Sequence, residues 1–427
     1  MKHTRLAYGT AEIEINQDLG DFEVLEPVSR ITVPLGDVEI GMRLEAPIAS
    51  PSVEDLVDAD DRVLLVVPDG TRKSGVGAVA NLLVRRLISS GIAPYNIAAI
   101  FATGIHRAVT EEERREILTP FLAQRLKTFN HAAADLMKKA GLESSNFTCK
   151  GATDSGIEVW LNRILDDYDK VITIGSVGFH YFAGFSGGRK MICPGLASVE
   201  TIEATHRLAF DFERNTRREG VAAGRLEGNP VHDAFMECVA LAPPTFSINT
   251  LVNGNGSIED MTCGHWIDSH RSACEMLVER NKIVIPEKRD VVIVSCGGSP
   301  SDMNMIQAHK SLESASTACK EGGTIILLAE CRDGLGRSDF MKWFSHGSSD
   351  GIAGALCENY EINGQTAWSL RRKTERHDVR LISSLNPVYV REMGMSPHET
   401  LESALADLTG KSGYLIPDGH QVLIEMR

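Results

Sequence analysis

Short, almost wholly apolar runs recur along this chain, and each opens into a polar loop rather than a second hydrophobic face. RVLLVV spans Arg62–Val67, NIAAIFA spans Asn96–Ala102 and KVITIG spans Lys170–Gly175. Strands this continuously apolar need cover on both sides, which is the signature of a parallel sheet rather than a one-sided antiparallel one. Between the first two runs, VGAVANLLVRRLISSG has the helical spacing of apolar residues and ends on Gly91, a good residue for the position after a helix. Thr110 and Glu113 make a T-x-x-E capping box for the next helix. Strands alternating with helices of this length predict βαβ units. The fold class is therefore α/β, with two α/β domains built on mainly parallel sheets.

The same rhythm returns after KIVIPEKRD (Lys282–Asp290), where proline and mixed charge separate two patterned regions. DVVIVSCGG reads as a strand and glycine turn, GTIILLAE as a strand, and VRLISSL (Val379–Leu385) as another. Asp302 is placed to cap the helix MNMIQAHKSLESASTAC. Ser396, Pro397 and Glu399 read as a capping box with proline in the first turn, closed by Gly410. The expected division is residues 1–284 as an N-terminal cofactor-anchoring and catalytic domain and 285–412 as a smaller α/β domain. The tail, 413–427, is expected to pack back on the first domain. Before Arg62 the pattern is of short strands and turns, with alternation in AEIEI and RITVPL.

Composition narrows the function classes. A chain of 427 residues that is 43% hydrophobic and carries a net charge of −14 is a folded protein with no general affinity for nucleic acid. Its nine cysteines contain no CxxC pair and read as reduced thiols. No apolar signal segment and no apolar run of about 18 residues appears, so no membrane association and a cytoplasmic location are expected.

The chemistry concentrates after the strand ends. In open parallel sheets ligands bind beyond the carboxyl ends of the strands. There the sequence places Asp69, Thr71 and Arg72, then His106 and Arg107, then His180. Singly, Asp69 or Thr71 reads as a turn residue or cap; together the three clusters point to one cleft. The loop FAGFSGGRK carries Gly184, Ser186, Gly187 and Gly188, whose backbone can form an anion nest, although it is neither a Walker A nor a GxGxxG sequence. Lys190 can be a phosphate cation, a surface charge or a nucleophile. His206 falls on the apolar face of a helix that Ser198 can cap, with Ile202, Ala209 and Phe210 at spacings of three and four. A hydrogen-bonded core histidine is the plain reading, since no second ligand is spaced for zinc. Gln307 and Lys310, three apart, share a helical face that suits a carboxylate.

PDGTRKSG, GIHRAVTEEE, the Gly175–His206 run and IQAHKSL, in this order, resemble the nickel-pincer lactate racemase family over nearly the whole chain. The resemblance implies two α/β domains with the active site in the cleft between them. It implies nickel and a pyridinium-3,5-bisthiocarboxylic acid mononucleotide as cofactor, loaded by cofactor-synthesis enzymes. By this resemblance Lys190 is the covalent tether and His206 the one protein ligand to nickel. His106 and His180 are the acid/base pair, and Asp69 and Arg72 contact cofactor and substrate, with Arg72 also steadying the substrate oxygen. Gln307 and Lys310 lie near carboxylates. The implied activity is a racemase or epimerase that inverts C2 of a 2-hydroxy acid by reversible hydride transfer. Phe179, where proline is expected, and Ile306, where an aromatic is, leave a larger or more polar substrate than lactate open. A metal-free hydro-lyase or isomerase, or a non-catalytic cofactor-binding protein, stands as the alternative.

Overall fold

A computed structural model of the chain describes residues 4–15, 21–27, 33–71, 73–133 and 146–427. It is α/β with two six-stranded, mainly parallel sheets, one in each of two compact units. One unit comprises Ile31–Ala209 and Glu219–Leu277; the other comprises Met1–Arg30, Phe210–Arg218 and Val278–Arg427.

In the first unit the strands lie in the order Ile258–Gly264, Phe246–Val252, Lys170–Ser176, Val63–Pro68, Ile97–Ala102, Lys127–Asn130. Every residue of Val63–Pro68 is buried. Alternation along that strand sends Val63, Leu65 and Val67 to the face covered by the helices Asp37–Leu44, Val76–Ser89 and Glu111–Arg125. The expected capping box forms: Thr110 accepts from the Glu113 amide and Glu113 accepts from the Thr110 amide. The chain runs outward in one direction from Val63–Pro68 to Ile97–Ala102, and Lys170–Ser176 is added on the other side. That reversal is the topological switch point at which ligands of such sheets bind.

In the second unit the order is Ser396–His398, Asp378–Ile382, Cys319–Leu328, Arg289–Ser295, Gly413–Ile416, Phe22–Val24. Val292 and Val294 pack on one side, with Leu312, Leu356 and Trp368 from the covering helices. Val291 and Ile293 pack on the other, with Leu6 and Ile15 from the hairpin Thr4–Tyr8/Ala11–Ile15. Trp343 and Trp368 are core residues here.

Several expectations differ from the structure. The first thirty residues join the C-terminal unit, because Phe22–Val24 extends its sheet beside Gly413–Ile416. The tail belongs to the same unit: Leu423–Met426 pairs with Lys282–Ile285, which spans the boundary expected after residue 284. Asp302 caps no helix. Its Oδ2 accepts from the Gly9 and Glu330 amides, Asn304 caps Met305–Ala308, and a break at His309–Lys310 precedes Ser311–Ala318. Ser396–His398 is a strand paired with Arg380–Ile382, and Thr400 caps the helix Leu401–Leu405. Val33–Leu35, the described part of RITVPL, is not a strand. No helix among the described residues is long and apolar enough to cross a membrane, and none of the nine cysteines forms a disulfide.

A short hairpin, Phe210–Asp211 with Thr216–Arg217, leaves the first unit directly after the helix Val199–Arg207 and is part of the second. Within that unit Phe210 meets Trp368 edge-on at 5.0 Å between ring centroids. Arg217 pairs with Glu313, whose other oxygen lies 2.8 Å from the Lys373 ammonium.

Candidate active site

Three neighbouring strands of the first unit each lead into a loop that carries an expected residue, and two of these, Asp69 and His106, touch. After Val63–Pro68, Asp69 turns back into its own loop. Its Oδ1 accepts from the Thr71 hydroxyl (2.6 Å) and amide (3.1 Å). Its Oδ2 lies 2.6 Å from His106 Nδ1, brought there by the loop that follows Ile97–Ala102. Asp69 is 5% exposed, whereas the His106 side chain is 37% exposed. A carboxylate on Nδ1–H fixes the tautomer, so Nε2 presents a lone pair to the open side. The same carboxylate would stabilise an imidazolium formed there. Arg107 grips Glu113 through both terminal guanidinium nitrogens, at 2.6 and 2.8 Å. Arg72 lies outside the described residues.

His180 follows Lys170–Ser176. Its Nδ1 accepts from the amides of Phe182 (3.2 Å) and Ala183 (3.1 Å). Phe179 packs on Phe185, 5.7 Å between ring centroids, across a two-residue ladder.

The glycine-rich loop is held together from within. The Ser186 hydroxyl donates to the Ser176 carbonyl and accepts from the Gly178 amide. Gly184 has φ +76°, and a Cβ there would run into the Arg225 backbone. A Cβ on Gly188 would enter the His270 ring, and one on Gly187 would press on Ser176. Close packing of the loop therefore accounts for these glycines without a ligand. Gly184→Ala is expected to lower stability by roughly 2–4 kcal/mol, from the left-handed backbone and the collision together. Urea unfolding of the variant checks this, and a change under about 0.5 kcal/mol, the usual size at an unconstrained surface site, would remove the constraint.

Lys190 and His206 flank one ring. The Lys190 ammonium is 5.4 Å from the centroid of Phe235, and the His206 ring is 5.4 Å from the same ring. The helix Val199–Arg207 is capped by Ser198 as expected, although it ends before Ala209. His206 Nδ1 lies 2.8 Å from the Ile202 carbonyl, which places the proton on Nδ1 and leaves Nε2 as a donor atom for a metal. Burial, then the nearby Lys190 charge, pushes its pKa down to about 3, so the imidazole is neutral. No group of three or more His, Cys, Asp or Glu among the described residues is arranged to hold a metal.

Gln307 and Lys310 lie in the other unit, past the end of Arg289–Ser295. Gln307 is buried, and the Lys310 ammonium donates to its Oε1 at 2.6 Å. His420, which the sequence reading did not single out, bonds the Gln307 carbonyl through Nε2 (3.1 Å). Arg189 and Asn229 were missed as well. Arg189, between a glycine and a lysine, reads as a surface charge, yet it is 1% exposed. It pairs with no carboxylate among the described residues. Burial lowers its pKa to about 10, and it donates to the Ala183 carbonyl at 2.7 Å. Asn229 had a usable signal, since Asn followed by Pro marks a helix start.

Comparison with known proteins bears directly on this arrangement. A family model described as the lactate racemase N-terminal domain matches residues 8–217, and one described as the lactate racemase C-terminal domain matches 284–424. The chain is 30% identical to the lactate racemase of Thermoanaerobacterium thermosaccharolyticum over 393 residues, 89% of this chain and 88% of that protein. The chain belongs to the lactate racemase family. Membership puts it among the racemases, a class of isomerase. The Lactiplantibacillus plantarum lactate racemase is 29% identical over 398 residues, covering 90% of this chain and 89% of the relative. Among solved structures, the lactate racemase apoprotein from T. thermosaccharolyticum superposes with a TM-score of 0.85 at 26% identity. That match covers 99% of this chain and all of that one. A Thermotoga maritima protein, with a TM-score of 0.71 at 20% identity, covers 92% of this chain and 99% of that one and shares the fold.

Proposed function

We propose that this member of the lactate racemase family inverts C2 of a 2-hydroxy acid, lactate or a larger, more polar relative, with a nickel-pincer nucleotide held on Lys190. The observation that carries the reading is the pair of groups around Phe235. A lysine amine and a neutral histidine with its Nδ1 proton committed to a backbone carbonyl address the same place. One histidine cannot hold a metal ion alone, so the donor set fits a nucleotide that brings its own ligands. When bound, that group supplies a reversible hydride acceptor, the chemistry a racemase needs where direct deprotonation beside a carboxylate is difficult.

The chain's own residues then divide the remaining work. Lys190 anchors the nucleotide and His206 Nε2 holds the nickel. His106 Nε2 takes the hydroxyl proton, with Asp69 steadying the charge that results. His180 meets the same oxygen from its own loop. Gly184, Ser186, Gly187 and Gly188, with Thr71, shape the loops beside the nucleotide. Arg72 steadies the substrate oxygen, while Gln307 and Lys310 serve a carboxylate. The partners of this reading are the 2-hydroxy acid and the enzymes that make and load the cofactor.

A metal-free isomerase is the second reading, and the Asp69–His106 pair favours it over mere nucleotide storage, since a carrier has no use for an oriented base. Co-expression with the cofactor-synthesis enzymes, followed by intact mass, nickel content and chiral analysis of a panel of 2-hydroxy acids, separates them. The nickel reading expects a mononucleotide-sized adduct, about one nickel per chain and loss of optical purity in at least one acid. Turnover by an unmodified, nickel-free chain would establish the metal-free reading instead.

A further inference from the structure

Asn229 stands before Pro230 at the start of the helix Pro230–Ala240 and is 0% exposed. An asparagine side chain has two donor hydrogens and an oxygen with two lone pairs, and this one uses all four. Its Oδ1 accepts from the Val231 and His232 amides, the ordinary cap. Its Nδ2 donates to the Phe182 carbonyl at 2.9 Å and the Arg225 carbonyl at 3.1 Å. The second half of that arrangement is not needed to begin a helix.

The Phe182 carbonyl and the Ala183 amide belong to one planar peptide unit. Holding the oxygen therefore aims the N–H at the other end, and that N–H points to His180 Nδ1 at 3.1 Å. The two peptides that follow are held through their oxygens as well: Arg189 donates to the Ala183 carbonyl, and the Gly224 amide donates to the Gly184 carbonyl. With the Phe182 amide also on Nδ1, two backbone donors converge on one imidazole nitrogen. A proton on Nδ1 would face two other protons and leave both amides unsatisfied, at a cost of about 1–3 kcal/mol each.

We propose that Asn229 is a positioning residue that fixes His180 as its Nε2–H tautomer, so that His180 meets the substrate oxygen as a hydrogen-bond donor. His106, with its proton on Nδ1, presents a lone pair instead. In this arrangement His106 presents an acceptor and His180 a donor. A neutral imidazole is an effective donor to an oxygen that gains charge. The catalytic part of the inference rests on His180 standing at the reacting hydroxyl, as proposed above; the tautomer itself does not.

Long-range proton–nitrogen correlation spectra of the full-length apoprotein, labelled with nitrogen-15 at its 13 histidines, test it. The His180 signals are identified by their loss in His180→Gln. The expected pattern is a protonated Nε2 and a bare Nδ1, and a proton on Nδ1 overturns the proposal. Asn229→Ser keeps an oxygen for the helix cap and removes the donor to Phe182; it is expected to shift His180 to mixed tautomers. An unchanged His180 pattern in that variant overturns the role of Asn229. Asn229→Asp, with the same outline and cap but no donor, decides the point by the same criterion if the serine variant does not fold. Because the spectra need neither cofactor nor turnover, a loaded enzyme that racemises nothing would sink the functional reading and leave the tautomer result intact.

Discussion

Replacing Lys190 with alanine yields a chain of unmodified mass after co-expression with the cofactor-synthesis enzymes, and racemisation falls to the uncatalysed background. The expectation follows from what an amine can do that other cations cannot. A lysine nitrogen can form a covalent bond to an acyl-type carbon, whereas a guanidinium stays protonated and planar. Lys190→Arg, which keeps the charge beside His206 and Phe235, should therefore fail to load as completely as alanine does. If arginine instead restored binding and turnover, Lys190 would be an electrostatic contact and not a tether. A mononucleotide adduct on the alanine variant would end the assignment altogether.

Asp69→Asn is expected to cost roughly 10²–10⁴-fold in turnover while leaving the adduct mass unchanged, which is about 2.7–5.4 kcal/mol of transition-state stabilisation. An asparagine can still accept from Thr71 through its oxygen, so the loop keeps its shape. Its amide nitrogen, though, would face His106 Nδ1 as a donor, moving the proton to Nε2 and removing the lone pair that accepts the hydroxyl proton. The loss should appear in both directions of the reaction, since the variant changes the base and not the affinity for either enantiomer. Near-normal turnover in both directions would take His106 out of proton transfer.

Local signals carried most of the framework. The apolar runs at Arg62, Asn96 and Lys170 became three adjacent parallel strands, and the Thr110–Glu113 box capped its helix, because both depend on residues within one turn or one strand. The loops that carry Asp69, His106 and His180 follow three adjacent parallel strands and so leave the sheet at the same end. Cap motifs misled where long-range contacts outbid them. Ser396 had the chemistry of a helix start, but the exposed flank of Asp378–Ile382 took Ser396–His398 as a strand. Asp302 was drawn off by the Gly9 and Glu330 amides, which are remote in sequence. Arg189 and Asn229 carry no periodicity that marks them as buried. Only the folded loop shows that their partners are the carbonyls of Ala183 and Phe182.

Phe22–Val24 completes a sheet edge against Gly413–Ile416, so this early strand of the C-terminal unit pairs with one made after the whole of the other unit. During synthesis Phe22–Val24 emerges before the other unit and waits, unpaired, until Gly413–Ile416 has been made. The opposite unit draws on Ile31–Ala209 and Glu219–Leu277 and can close before Gly413–Ile416 is made. Contacts between such distant residues are slow to form, because the loop entropy is lost before the contacts compensate. Birth order thus separates the two units: the one holding Lys190 and His206 can assemble early, and the one holding Gln307 and Lys310 is completed only once Gly413–Ile416 has followed.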